Sequence, residues 1–251
     1  MSEQFNKKVI HLVEDAKSIN YRYEKNYDKL LDGNIQICSY EYDALILKEQ
    51  CRIIPYDSLS KGDILIKHPY EKNCYIHIEE SEDEIFKYKC QKISQIAGLL
   101  GASICDIKLE LIEEEEKIFE KNGKITAKKI GIDARKKKEE SKKLSQKFII
   151  KDTYTAGNSF TEGGYKKAKE IAECFNDTNI NGLVEMRSPD FQGQLKERRI
   201  SVELTRELNR SLDCAITLNA LPQVFTLSAQ KHEIVKSRKK IVFEMKVEFN
   251  T

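Results

Sequence analysis

Residues 108–132 read KLELIEEEEKIFEKNGKITAKKIGI, and the predicted architecture of the second half of the chain depends on them. Its composition resembles a disordered tail, but apolar residues alternate with charged ones at Leu109 and Leu111 and again around Ile130. Strict alternation predicts a half-buried strand, and Asn122-Gly123 is the strongest short signal for a hairpin turn. We therefore expect two long antiparallel strands, at residues 103–119 and 124–137.

Folding about this turn brings the acidic residues 113–116 near Lys128 and Lys129. Opposite charges on neighbouring strands stabilise each other, so we expect these residues to be cross-strand partners. One long charged helix over residues 105–120 is an alternative. The β-branched residues and the glycine within residues 125–132 favour the hairpin.

The same alternation predicts strands near the end of the chain, at residues 224–229 and 241–249, joined as a hairpin around residues 232–240. Near residues 200–204 a strand pattern passes into a helical one. A connection with one helical turn is expected over residues 178–195.

Two amphipathic helices are expected beside these strands, each with a capping box at its start. Ser81 and Glu84 begin the helix that runs to residue 100, where Gly101 ends it. Ser159 and Glu162 begin the second helix, which ends near residue 176. The predicted fold class is α+β, a long-stranded antiparallel sheet covered by amphipathic helices.

The first 31 residues predict a further helix, because apolar positions recur at alternating spacings of four and three. This helix either lies across the rest of the fold or forms a coiled-coil seam in which Asn26 sets the register and oligomeric state. We favour the first alternative, because Ala, Tyr and Phe are unusual at the seam positions of a coiled coil. The heptad stripe and candidate interaction surface comprises Phe5, Val9, Leu12, Ile19, Tyr23, Asn26 and Leu30.

Residues 35–80 predict a small antiparallel sheet of short apolar runs broken by turns. The runs are residues 35–37, 44–47, 52–54, 64–66 and 75–78. No strand-helix-strand alternation of the kind that builds a parallel sheet is apparent. We expect two domains, 1–101 and 102–251, with a single domain 1–251 as the alternative.

The charges nearly cancel, with 43 Lys and Arg against 41 Asp and Glu among 251 residues and a net charge of +2. This balance excludes an acidic disordered tail and a polybasic arm. The absence of an 18-residue apolar run excludes a transmembrane helix. Seven scattered cysteines form no disulfide framework, and we expect a cytoplasmic protein.

Motifs for catalysis are missing, since the sequence contains no nucleotide-binding loop, metalloprotease motif or hydrolase elbow. His68, Cys74 and His77 are the nearest approach to a Cys/His site, and the glycine-rich turn at residues 157–164 could hold an anion at a helix start. Ordinary packing and helix capping explain the same residues. We expect no cofactor and no metal, and whether the protein is an enzyme stays open, with an enzyme less favoured.

Basic runs at predicted turns are candidates for binding an anionic partner. They comprise Arg135, Lys136, Lys137, Lys138, Lys142, Lys143, Lys236, Arg238, Lys239 and Lys240. Solubilising turn lysines are the simpler interpretation.

The favoured function is a non-enzymatic interaction or assembly protein that associates with itself or with a protein partner. The alternatives are binding of nucleic acid or an anionic membrane surface through the basic runs, and conditional membrane insertion (pore formation) by the amphipathic strands.

Overall fold

The chain, seen as a computed structural model, is described for residues 5–23, 33–55, 58–121, 124–130, 150–155, 160–191, 195–216, 218, 231, 234 and 237–249. It divides into two compact units, each assembled from three segments. Unit 1 comprises Met1–Ile85, Glu115–Ile130 and Arg206–Lys239, and unit 2 comprises Phe86–Glu114, Gly131–Thr205 and Lys240–Thr251. The domain boundary expected at residue 101 stays a prediction.

Within the described residues the strands and α-helices follow one another along the chain as β1 Val9–Val13, α1 Asp15–Tyr23, β2 Ile35–Ser39, α2 Tyr40–Gln50, β3 Arg52–Ile54, β4 Ile64–Lys67, β5 Cys74–His77, α3 Ser81–Leu99, β6 Ala102–Lys121, β7 Lys124–Ile130, β8 Ile150–Thr153, α4 Glu162–Phe175, α5 Thr178–Glu185, β9 Glu197–Glu203, α6 Arg206–Ala215 and β10 Ser237–Phe249. Short 3-10 turns lie at Ile78–Glu80 and Pro189–Phe191. The α+β class predicted from the sequence is confirmed.

The sheet of unit 1 has the strand order β2-β1-β4-β5-β3. Strand β1 is parallel to β2, and β3 is parallel to β5, whereas β4 is antiparallel to both of its neighbours. The prediction of a purely antiparallel sheet, without strand-helix-strand connections, is therefore wrong here. The β1-α1-β2 connection is not apparent in the sequence, because the apolar spacing of residues 9–13 also fits a helix.

The continuous heptad-striped helix over residues 2–31 is also wrong, because residues 9–13 form a strand before α1 begins at Asp15. All five residues of β1 are buried. A strand covered on both faces is a continuous apolar run, which periodicity cannot distinguish from a buried helix segment. The 4-3 spacing in this stretch therefore reflects burial rather than a helical face.

Residues 44–47, expected to form a strand, lie instead in α2. The hydroxyl of Ser39 accepts a hydrogen bond from the backbone N–H of Tyr42, and Asp43 accepts one from the N–H of Ser39 at 2.7 Å. These two bonds satisfy amides at the start of the helix. Capping by Ser39 thus outweighs the strand propensity of the apolar run.

The core of unit 1 lies between its sheet and α2. It contains Phe5 and residues of β1, β2, β3, β4, β5 and α2, and its buried members are Phe5, Ile10, Leu12, Cys38, Ala44, Leu47, Cys51, Ile53, Leu59, Leu65 and Tyr75. Burying side chains of this size stabilises a fold by about 1.5–3 kcal/mol each.

The helix predicted over residues 82–100 is confirmed as α3, which Gly101 ends with a φ of +79°. Its start differs in detail from the expected capping box. The Ser81 hydroxyl donates to the carbonyl of Ile78 at 2.7 Å, at the end of a 3-10 turn.

The second sheet has the strand order β7-β6-β10-β9, and β8 also pairs with β6. The pairs of β6 with β8 and of β10 with β9 are antiparallel, which agrees with the antiparallel sheet predicted for this part of the chain. The predicted strand-to-helix passage near residue 204 is confirmed by β9 and α6. Residues 224–229, the expected partner of the last strand, lie outside the described residues.

The helix predicted to end near residue 176 is confirmed as α4, but Thr161 rather than Ser159 caps it. The Thr161 hydroxyl accepts from the N–H of Gly164, and Asn176 ends the helix with a φ of +47°. Ser159 lies outside the described residues. Helix α5 replaces the single turn expected in the next segment, and the Asp177 carboxylate caps it.

The hairpin predicted around residues 122–123 is confirmed by the antiparallel pairing of β6 with β7. Glu116 lies opposite Lys129, as the charge pattern predicted, but Lys117 lies opposite Lys128. Strand β7 ends at Ile130, and residues 131–137 of the predicted strand lie outside the described part of the chain.

Candidate functional site

Helix α2 exposes an apolar face although it begins directly after a buried strand. Its inner side buries Ala44 and Leu47, whereas Tyr42 is 71% exposed and Leu45 is 69% exposed. Residues three apart lie on the same side of a helix. Tyr42 and Leu45 therefore form one patch, which we call the α2 face together with Lys48, the next residue on that side.

A charge network fixes the start of the α2 face. Lys61 binds the Glu41 carboxylate at 2.6 Å, and the backbone N–H of Asp15 donates to the same carboxylate at 3.1 Å. The hydrogen bond from Lys61, followed by a side-chain hydrogen bond with Asp15, lowers the pKa of Glu41 to about 2. Asp15 also accepts a hydrogen bond from the Ser39 hydroxyl. The first turns of α1 and α2 are thus tied together.

The interaction residues predicted from the heptad stripe separate in the structure. Phe5, Val9 and Leu12 are buried in unit 1, whereas Ile19 is 50% exposed on α1, a helix that contacts α2. Tyr23 is the last residue of α1. Asn26 and Leu30 lie outside the described residues, and an interaction role for the set stays a prediction.

A partly buried polar cluster lies elsewhere in unit 1, around Lys231. The Lys231 ammonium donates to the Gly62 carbonyl at 2.8 Å, and it lies 3.2 Å from Oδ1 of Asp63 and 3.4 Å from Oε1 of Glu79. Nδ1 of His77 lies 3.6 Å from Oδ2 of Asp63. Asp63 therefore interacts with a cation on one side and an imidazole on the other.

Two ring nitrogens in this region have no hydrogen-bond partner among the described residues, Nδ1 of His11 and Nε2 of His77. Burial and the nearby charge of Lys231 lower the pKa of His11 to about 4. His11 is therefore neutral at physiological pH. An Asp-His pair resembles half of a general-base arrangement.

The sequence does not reveal this cluster, because its members lie far apart in the chain and follow no motif. They are Gly62, Asp63, His77, Glu79 and Lys231. Of the cluster's members, only His77 is identified from the sequence, where it is grouped with His68 and Cys74 as a candidate Cys/His site. The fold places those three in separate roles. Nδ1 of His68 accepts from the N–H groups of Tyr70 and Glu71 and so closes a turn.

Burial raises the pKa of the Cys74 thiol and lowers that of His68 to about 4. A thiol that resists ionisation is a poor nucleophile. Cys74 and His77 occupy positions three apart in β5, which lie on opposite faces of a strand. The contacts of these residues are structural.

Unit 2 holds a buried arginine at the end of α3. Nε and Nη2 of Arg187 donate to the Leu100 carbonyl at 3.4 and 3.2 Å, and the guanidinium lies 4.2 Å from the ring centroid of Phe249 and 5.6 Å from that of Phe160. Burial lowers the pKa of Arg187. The arginine caps the negative end of the helix.

The glycine-rich turn expected to hold an anion is described from residue 160 onward. The Gly164 amide is occupied by the Thr161 hydroxyl, and a Cβ at Gly164 would lie 2.6 Å from the Leu99 carbonyl oxygen. Helix capping and close packing therefore account for Thr161 and Gly164.

The predicted basic runs fall mostly outside the described residues, including 135–143 and Lys236. Arg238, Lys239 and Lys240 lie in β10, where Lys239 is half-buried and Lys240 is exposed. The Lys239 carbonyl accepts a hydrogen bond from the Asn209 amide at 2.8 Å. Their role in binding an anion stays a prediction.

Within the described residues no three His, Cys, Asp or Glu side chains gather in a way that could hold a metal ion. No described helix is long and apolar enough to cross a membrane. No family model, curated protein or solved structure matches this chain.

Proposed function

We propose that this chain acts by association rather than catalysis, forming a homodimer through the α2 face. The observation that carries the proposal is the exposure of Tyr42 and Leu45 together on one side of α2. Large apolar side chains that are exposed side by side are typical of interaction sites. A contact of this kind becomes stable when both partners remove the apolar area from water.

A second copy of the chain fits this face through its own chemistry. If two α2 helices cross antiparallel about a two-fold axis at Leu45, each Leu45 meets its counterpart, and Tyr42 lies opposite Lys48 of the second copy. A lysine ammonium over a tyrosine ring is favourable by about 0.5–1 kcal/mol at exposed sites. The α2 face is therefore self-complementary, as a symmetric dimer requires.

The contact is expected to be of moderate affinity. An exposed leucine buried on both sides contributes about 1.5–3 kcal/mol, and the area of one helix pair is small beside a standard interface of about 1,600 Å². Ile19 is also 50% exposed, on the neighbouring helix α1. A cytoplasmic setting belongs to the proposal, since all seven cysteines are free thiols.

The test is the molar mass in solution by analytical ultracentrifugation, from about 1 μM to about 200 μM. We expect the wild-type protein to pass from monomer to dimer, and Leu45→Glu to remain monomeric because it places a charge at the two-fold axis. Met186→Glu is the matched control, since Met186 is also an exposed apolar residue but lies in unit 2. A monomeric wild type at every concentration, or a Leu45→Glu dimer, overturns the proposal.

A further inference from the structure

We draw no further inference here: the strongest candidate, the buried guanidinium of Arg187 between the end of α3 and the start of α4, carries nothing, because its hydrogen bonds to the Leu100 carbonyl and its place over the Phe249 ring already account for it and no second observation among the described residues points to an anion at that helix start.

Discussion

Nζ of Lys231 lies 3.2 Å from Oδ1 of Asp63, a residue 168 positions earlier in the chain. Asp63 directly precedes β4, and Lys231 belongs to the last of the three segments that make up unit 1. Both side chains are largely withdrawn from solvent, with exposures of 13% and 14%. The pair therefore ties a distant segment to the sheet.

Replacing Lys231 by methionine should destabilise the protein by about 2–4 kcal/mol. Methionine keeps the apolar stem but leaves the Asp63 carboxylate without its cation. Removing one member of a buried ion pair is destabilising, because the remaining charge is left uncompensated. The measurement is urea unfolding followed by circular dichroism at pH 7.

Two controls accompany the Lys231→Met variant. Lys17→Met removes an exposed partner of Glu14 and should cost less than about 0.5 kcal/mol. Adding Asp63→Asn to Lys231→Met should recover part of the loss, because the stranded charge disappears. A change below about 0.5 kcal/mol in Lys231→Met would show that the pair contributes no stability.

His11 should make the stability depend on pH on the acid side of neutrality. Its folded pKa of about 4 lies below the ordinary 6.5 because of burial and the charge of Lys231. The unfolded chain therefore takes up the proton first as the pH falls from 6.5 towards 4. Stability from this group is fully present above pH 6.5 and is lost over that window, by about 2 kcal/mol between pH 7 and pH 5.

The measurement is the free energy of unfolding at pH 7, 6 and 5 for wild type and His11→Gln. The variant should lose less stability over this range than the wild type, although its absolute stability is lower. His68, whose pKa is also lowered to about 4, should keep part of the dependence in both proteins. Identical pH profiles would contradict the assignment to His11.

Sequence patterns predicted the elements whose signal is local. The hairpin of β6 and β7 follows from alternation around Asn122-Gly123, and α3 follows from apolar spacing that ends at Gly101. Each of these elements is amphipathic or has a distinctive turn. Local patterns of this kind survive in the fold because tertiary burial reinforces them.

The wrong prediction for residues 9–13 has a physical cause, which is burial on two faces. The VIHLV run of β1 is covered on both sides, so its residues carry no polar face from which a period could be read. The polar cluster around Lys231 could not be predicted from the sequence, for a different reason. It is assembled from Gly62 and Asp63 just before β4, His77 in β5, Glu79 and Lys231, and no local rule relates residues 168 positions apart.

Helix α2 is an intermediate case between the elements that were predicted correctly and those that were not. The Ser39 cap and the apolar residues Tyr42 and Leu45 could have identified a helix with two apolar sides. Residues 44–47 are one of several short apolar runs broken by turns in this region, and that pattern predicted a strand instead. The exposure of Tyr42 and Leu45 follows only once Ala44 and Leu47 are known to face the core.

Arg187→Met should destabilise the protein by about 2–3 kcal/mol. The guanidinium supplies two hydrogen bonds to the Leu100 carbonyl and lies over the ring of Phe249. Methionine fills the space but leaves that carbonyl without its donor, and a stranded buried acceptor costs about 1–3 kcal/mol. Thermal and urea unfolding measure the loss.

Arg199→Met is the control for Arg187→Met, since Arg199 pairs with Glu197 at an exposed site. Its effect should stay below about 0.5 kcal/mol. Equal losses of stability in the two variants would mean that the contacts of Arg187 with Leu100 and Phe249 stabilise the protein no more than an exposed ion pair does.

Two adjacent glycines in the first turn of α4 should respond to alanine in opposite directions. A Cβ at Gly163 meets nothing within 4 Å, whereas a Cβ at Gly164 would lie 2.6 Å from the carbonyl oxygen of Leu99. Alanine favours a helix over glycine by about 0.5–1 kcal/mol, so Gly163→Ala should stabilise the protein by up to that amount. Gly164→Ala gains the same propensity but forces two backbone segments apart, and overpacking of this kind costs about 1–3 kcal/mol. The two substitutions add the same methyl group to the same turn, so the difference in their free energies of unfolding in urea reports the packing of α4 against residue 99. A Gly164→Ala variant as stable as Gly163→Ala would contradict that close approach.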